Sequence, residues 1–335
     1  MGVYMYEAQM PEYRERIGRF IGASGDEIAI LRNTGDGATA IALGLDWQPG
    51  DELILSDNEF PSNAIPWIAL RARGVNVRFI ETERERMTPD ALRRAITAKT
   101  KVVTVSWVSF LDGYRHDLAA LAEVTHEAGA LFCVDVIQGL GAFPLDVRAA
   151  GIDVAYGGGQ KWLMSLQGVS FLYVCRELLD RISLGAPGWR SVEDMWDFLN
   201  YEQPLTGAAS KFEAGTPNFV GALSMDRAIQ VLQRPGSQKI AEHVLALTDR
   251  LVDGLNRLGA EVLTPRGEGI SSGIVTFRMP GHDSVALGQA LQREDIVTTW
   301  RETGIRVAPH GYNTYEEIER LLELVPKCAG TLAAS

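Results

Sequence analysis

The sequence predicts an α/β protein, a mainly parallel seven-stranded sheet flanked by helices and followed by a smaller C-terminal α+β unit. Two patterns carry that prediction. Short apolar or β-branched runs alternate with longer stretches whose apolar residues recur every three or four positions, as βαβ units do. After residue 219 the order changes to successive helices and then short strands, which marks a second unit. The predicted strands of the large sheet are 27–31, 52–56, 76–80, 101–106, 131–135, 153–157 and 168–174. Runs such as Leu131-Phe-Cys-Val are apolar throughout, as strands covered on both faces must be. Crossover helices fall at 11–22, 63–73, 89–97 and 117–128, several with Asp or Pro at the start, where a cap or a residue lacking an N–H is favoured. From 181 to 215 the pattern becomes irregular and aromatic, with Trp189, Trp196, Phe198 and Tyr201, and reads as a site loop and connector. The domains are therefore 1–219 and 220–335. The second holds two helices, strands 261–264 and 273–279, a helix over 283–293, strands 296–301 and 305–309, and a closing helix from Thr314.

A chain of 335 residues with 46% hydrophobic and 22% charged residues has the composition of a soluble globular protein. Its net charge of -11 leaves no basic surplus to neutralise phosphates, which argues against nucleic acid or an anionic membrane as partner. Cys133, Cys175 and Cys328 are far apart and form no CxxC pair, so a reducing cytoplasm is the expected setting. The opening MGVYMYEAQMPEYRER has no apolar run behind basic residues, and no stretch approaches the roughly 18 apolar residues of a membrane span. Small-molecule chemistry remains.

Lys161 follows a predicted strand and the glycine turn Gly157-Gly-Gly-Gln160 in apolar surroundings. Partial desolvation there lowers a lysine's pKa and makes its amine a nucleophile toward an aldehyde; a lysine snorkelling from a strand end is the competing account. Asp135 ends an apolar strand, with Gln138 three residues on. Ligands of open parallel sheets bind at the carboxyl ends of strands, so this carboxylate is placed to meet a ligand, or else to cap a helix. Asn33-Thr-Gly-Asp-Gly37-Ala38-Thr39 opens a helix with the free amides and dipole that favour an anion, without matching a nucleotide motif. Phe60 lies beyond another strand end, where an aromatic either stacks on a planar ring or joins the core. Arg306, inside a short apolar strand, needs an anionic partner, either a substrate carboxylate or a structural acid.

Taken in order, Phe60-Pro-Ser-Asn63 through Pro66-Trp67, Val105-Ser-Trp-Val-Ser109, Val134-Asp135-Val-Ile-Gln138, Gln160-Lys161-Trp162, Lys211-Phe-Glu-Ala-Gly-Thr216-Pro-Asn218 and Arg306 through Tyr312-Asn-Thr314 resemble the class V aminotransferases. These are fold-type I enzymes dependent on pyridoxal 5'-phosphate (PLP). The nearest branch is the one of group II cysteine desulfurases, isopenicillin N epimerase and kynureninase. The resemblance runs from about residue 10 to about residue 325 and implies an amino-acid substrate. It implies that Lys161 holds PLP as a Schiff base, that Asp135 partners the pyridine nitrogen, that Gln138 lies beside the phenolic oxygen and that Phe60 stacks on the ring. It places Gly37, Ala38 and Thr39 at the phosphate, Gln160 beside the cofactor lysine, and Arg306 at the substrate carboxylate. Thr216 falls in the motif that reaches the cofactor phosphate of a neighbouring subunit, so a homodimer with shared sites is implied. The chain departs from its relatives at Gln160, often His or Tyr, at Gly158, where they place a phosphate ligand, and at Phe110, where desulfurases have asparagine. Relatives also carry a further segment ahead of the helix at 6–22.

Lys161, once released, is the general base for the Cα proton. The segment Thr298-Thr-Trp-Arg-Glu-Thr-Gly304 contains no cysteine, and the three thiols are expected to be packing residues, so the sequence predicts an enzyme that is not a persulfide-forming cysteine desulfurase. An aminotransferase is favoured; C–S β-lyase and Cα-epimerase are the alternatives. A degenerate, non-catalytic binding protein is the alternative of another class, against which the joint retention of Lys161, Asp135, Gln138 and Arg306 argues.

Overall fold

A computed structural model describes residues 6–81 and 86–333; the first five residues of the opening segment lie outside them. The chain divides into two compact units, residues 1–107 with 116–235 and residues 108–115 with 236–335, a finer partition than a single cut at residue 219.

The first unit is built on a seven-stranded sheet. Its elements are α1 (Met10–Phe20), β1 (Ile28–Leu31), α2 (Thr34–Gly44), β2 (Glu52–Ser56), α3 (Pro61–Ile68), β3 (Asn76–Ile80), α4 (Pro89–Ala95), β4 (Thr100–Ser106), α5 (Leu118–Glu127), β5 (Leu131–Asp135), β6 (Val154–Gly158), β7 (Ser170–Val174), a short α6 (Arg176–Leu179) and α7 (Phe219–Gln233). Strand order is β1-β7-β6-β5-β4-β2-β3. The five strands from β3 to β6 are parallel, whereas β7 runs antiparallel to both its neighbours. β5, β6 and β7 are buried almost end to end, because helices cover both faces. Ile41, Leu53, Leu55, Trp67, Cys133, Tyr156 and Leu172 form the core on one side.

Local chemistry sets the helix starts. The Asn33 side chain accepts from the Asp36 N–H at 3.0 Å and Asp117 from the Ala120 N–H at 3.1 Å, satisfying donors that the first turn leaves open. Pro61 and Pro89 occupy first-turn positions. The helix expected at 63–73 instead starts at Pro61 and passes at Ala69 into a 3-10 turn ending at Arg73. Pro66 inside it removes an intrahelical N–H, which shortens the α-helical part.

The second unit holds α8 (Ser237–Arg257), α9 (Ser284–Arg293) and α10 (Tyr315–Ala333) with a four-stranded sheet ordered β10 (Thr299–Arg301), β11 (Gly304–Val307), β9 (Val275–Arg278) and β8 (Glu261–Val262). Leu247, Leu251, Phe277, Leu287, Ile305, Leu321 and Val325 form its core. β8 is shorter than expected because the Thr264 hydroxyl accepts the Thr276 N–H at 2.7 Å, replacing a ladder bond. No helix among the described residues is long and apolar enough to cross a membrane.

Candidate active site

β2, β4, β5 and β6 are parallel neighbours, so their carboxyl ends share one edge, where ligands of open α/β sheets bind. Asp135 closes β5 opposite Ser106 of β4 and Tyr156 of β6. Its residue is 1% exposed. Oδ1 accepts the Ile137 N–H at 2.9 Å, while Oδ2, also buried, accepts no hydrogen bond among the described residues. Desolvation raises this carboxyl from 3.8 to about 7; the Ile137 hydrogen bond opposes the shift, the Glu59 charge adds to it and the Lys161 charge opposes it.

Lys161 sits on the turn leaving β6. The Ser165 N–H donates to the Gly159 carbonyl at 2.8 Å and the Met164 N–H to the Lys161 carbonyl at 2.9 Å, with Met164 in the left-handed region at φ 56°. The turn is thus closed on itself, and its lysine is held at a fixed place on the sheet edge. Lys161 Nζ lies 5.3 Å from the centroid of the Phe60 ring, a cation–π distance. Phe60 reaches that position as the N-cap of α3. Gln138 is buried and its Oε1 accepts the Trp162 indole N–H at 3.2 Å, joining the residue after the lysine to the turn after Asp135.

Beneath these groups lies a polar network to which the sequence pattern assigns no role. Glu59 Oε1 accepts the Ser106 N–H at 2.7 Å, and its Oε2 accepts the Ser106 hydroxyl at 2.5 Å and the Asn63 amide at 2.9 Å. Burial pushes the Glu59 carboxyl up against the pull of these donors. The Tyr156 hydroxyl donates to Asn63 Oδ1 at 2.6 Å, Thr104 donates to the same oxygen at 3.1 Å, and Trp67 Nε1 lies 3.4 Å from the Tyr156 hydroxyl. The available signal was a polar residue inside an apolar strand end, as at Thr104, Ser106 and Tyr156. Which polar atoms meet depends on strand order, which local pattern does not encode.

The expected segment does open a helix, but its first turn lies ahead of Ala38 and Thr39. α2 begins at Thr34, so the amides without an intrahelical partner belong to its first turn. Thr34 Oγ1 accepts the Gly158 N–H at 3.0 Å, tying that turn to the end of β6. A Cβ at Gly35 would stand 4.0 Å from Ser62 Oγ, so this turn faces the start of α3. Ala38 lies further along α2 and is fully buried in the core, where its N–H is used within the helix. Gly37 meets β6 instead, since a Cβ there would come within 2.7 Å of Tyr156 Cβ. Thr39 lies on a different hollow of about 360 Å³, shared with Leu43, Phe212 and the exposed Thr216. Gln160 is exposed, with its side chain folded back over Gly158, where a Cβ would come within 2.3 Å of Gln160 Oε1.

Arg306 belongs to the second unit. Nη1 donates to the Phe110 carbonyl at 2.6 Å, and desolvation lowers its pKa, with the charge of Arg301 adding to the fall. The three cysteines have raised pKa values from burial: Cys133 well above its ordinary value, Cys175 to about 12, and Cys328 in the same direction.

The family model described as aminotransferase class-V matches residues 4–321. A protein of Methanothermobacter thermautotrophicus named "Probable cysteine desulfurase" is 30% identical over 346 residues, covering 96% of this chain and 84% of its own length. A cysteine desulfurase structure from Thermococcus onnurineus NA1 superposes with a TM-score of 0.90 at 26% identity, over 98% of this chain and 85% of that one. The cystine C–S lyase C-DES, solved with its reaction product cysteine persulfide, superposes at 0.86 and 25% identity, over 97% and 87%. These relatives overturn the expectation that persulfide formation is excluded. The error lay in reading that chemistry from the chain's own thiols: a persulfide can leave as a free product, as it does from that lyase. From the family match across nearly its whole length, this chain belongs to the class V aminotransferases, fold-type I enzymes whose cofactor is pyridoxal 5'-phosphate.

Proposed function

We propose that this protein is a PLP-dependent enzyme that breaks the Cβ–S bond of a sulfur amino acid and releases the sulfur as persulfide. The observation that carries the cofactor site is the buried Asp135 Oδ2 without a hydrogen-bond partner among the described residues. Leaving such an atom unpaired costs on the order of 1–3 kcal/mol, and a protonated pyridine nitrogen is a donor of the right charge to pair it. When bound, PLP supplies an electron sink that weakens the bonds at the substrate Cα. Lys161 would hold the cofactor and afterwards move the Cα proton, being tethered on a closed turn. Phe60 would cover the ring and exclude water from it. Gln138, whose oxygen is engaged by Trp162, keeps its amide donors for the phenolic oxygen. The first-turn amides of α2, rather than those at Ala38 and Thr39, together with Ser62, would hold the phosphate. Arg306 would take the substrate carboxylate.

The carbon–sulfur step is supported by the relatives named cysteine desulfurase or C–S lyase; a transaminase, the second reading, is supported by the family name and by other relatives named as uncharacterized aminotransferases. The working unit is proposed to be a homodimer, with exposed Thr216 open to a second copy; sedimentation velocity checks the mass. The purified protein should be yellow, and borohydride reduction should leave a pyridoxyl mass on the peptide containing Lys161. Incubated with L-cystine, it should yield sulfane sulfur with pyruvate and ammonia. Keto acid together with pyridoxamine phosphate would establish transamination instead, and solvent deuterium at Cα alone would establish epimerisation. A colourless protein that takes up no PLP would leave only the non-catalytic reading.

A further inference from the structure

Four hydrogen-bond donors converge on the Glu59 carboxylate. The Ser106 N–H and hydroxyl reach it at 2.7 and 2.5 Å, the Asn63 amide at 2.9 Å, and the Phe60 N–H adds to them. A carboxylate is an acceptor only, so it suits all four, whereas a glutamine amide would turn a donor of its own toward one of them. Asn63 is fully buried, and its side chain is held from the other side as well. Its Oδ1 takes the Tyr156 and Thr104 hydroxyls, which leaves its NH2 for Glu59. The Asn63 N–H donates to the Phe60 carbonyl at 2.8 Å. Phe60 is thereby bracketed. Glu59 ties its amino side to the end of β4, and Asn63 ties its carbonyl side to β4 and β6 through Thr104 and Tyr156. The ring so held is the one 5.3 Å from Lys161 Nζ, and β6 is the strand that leads to the lysine turn. Ser106, clamped through both its donors, stands opposite Asp135 in the sheet.

We propose that Glu59 is a positioning residue for the cofactor that acts through Phe60: it fixes the backbone on which the aromatic ring stands before PLP arrives. The inference rests on the PLP site proposed above and adds to it a residue that does not itself touch the cofactor. The gain is preorganisation, because a ring that has to be ordered on binding costs affinity and one already fixed does not. The charge of Glu59 acts in the same sense. It opposes ionisation of Asp135, and the positive pyridine nitrogen that Asp135 would receive offsets that repulsion. Glu59 and Asn63 thus form a frame behind Phe60, with Tyr156 and Thr104 as its outer supports.

The test follows PLP binding to the full-length apoprotein, by absorbance and by the visible circular dichroism of the bound cofactor. Glu59→Gln should raise the Kd for PLP by about 10- to 100-fold, the range of a lost hydrogen bond to a charged group. At saturating PLP it should also weaken the dichroism band, which reports how the cofactor ring is held. Phe60→Leu should raise Kd too, and the double variant should be within about twofold of the poorer single one, because both changes act on the same ring. If Glu59→Gln does not fold, Ser106→Ala carries the test. It removes one donor, keeps the backbone N–H, and should raise Kd by about threefold with a smaller loss of dichroism. A lower melting temperature with unchanged Kd and dichroism, or losses in Glu59→Gln and Phe60→Leu that multiply, overturns the role and leaves Glu59 as packing. Wild-type protein that binds no PLP overturns the cofactor site, and this inference with it.

Discussion

Asp135 holds its unusual protonation because burial acts on it before any ligand does. Its pKa is raised from 3.8 to about 7, so within that window the folded protein keeps a proton that the unfolded chain has lost. Stability from this group is therefore complete below about pH 4 and is lost as pH rises toward 7. A rise of that size corresponds to about 4 kcal/mol, an upper figure for a carboxyl whose surroundings relax. The expected outcome is that the melting temperature of the apoprotein falls between pH 5 and pH 8, and that the fall is much smaller in Asp135→Asn, whose amide does not titrate. Glu59, raised in the same direction, supplies the slope that remains. Equal slopes in the two proteins would remove Asp135 as the source. The lysine, the carboxylate and Phe60 were identifiable as residues because each follows a predicted strand. The unmade bond at Oδ2 was not, because it arises from neighbours distant in the chain, such as Ser106 and Glu59.

At the scale of elements, strand ends decide where the chemistry lies. Strands 52–56, 76–80 and 131–135 have the predicted bounds, since their apolar runs end at turn residues that no sheet contact can move. The position of α2 was less legible. A helix start is expected somewhere within Asn33–Thr39, and the structure begins it at Thr34, where the Asn33 side chain takes the Asp36 amide. Gly37 shows the force that fixes the helix against β6. Alanine is the better helix former by about 1 kcal/mol, yet its Cβ would come within 2.7 Å of Tyr156 Cβ. Gly37→Ala should therefore destabilise the protein by about 1–3 kcal/mol and weaken PLP binding, as α2 is pushed away from Gly158. Gly330→Ala on α10, where a Cβ meets nothing within 4 Å, should instead be neutral or stabilising by up to about 1 kcal/mol. Denaturant midpoints of the two variants check the sign of each effect.

At the scale of the molecule, the first unit is joined by one buried acid. Glu213 accepts from Arg14 Nε and Nη2 at 2.7 Å each, from Arg190 Nη2 at 2.8 Å and from the Ile30 N–H at 2.9 Å. Arg190 also pairs with Glu7. Helix α1, edge strand β1 and the irregular segment near residue 213 thus meet on a single carboxylate that is 3% exposed. Removing one member of a buried ion cluster leaves the others without compensation, at a cost of about 3–5 kcal/mol. Glu213→Ala should show a loss of that size in its urea midpoint, with retention of wild-type stability as the outcome that contradicts the role. The aromatic stretch from Trp189 to Tyr201 gave no hint of this, since neither Arg190 nor Glu213 belongs to a periodic pattern.

What the sequence by itself determined is the α/β architecture, the strands that end at the site, the family and the identity of Lys161, Asp135, Gln138 and Phe60 as its candidates. Those follow from periodicity, from residues at strand ends and from ordered motifs, all of which are local along the chain. Only the tertiary structure decided that Ala38 is buried in the core, that Thr39 and Thr216 line a separate hollow, that Glu59, Asn63 and Tyr156 form one buried polar network, and that Arg301 stands beside Arg306. The physical reason is that burial, hydrogen-bond partnership and the pairing of like charges depend on which strands become neighbours, and sheet order joins residues far apart in the chain.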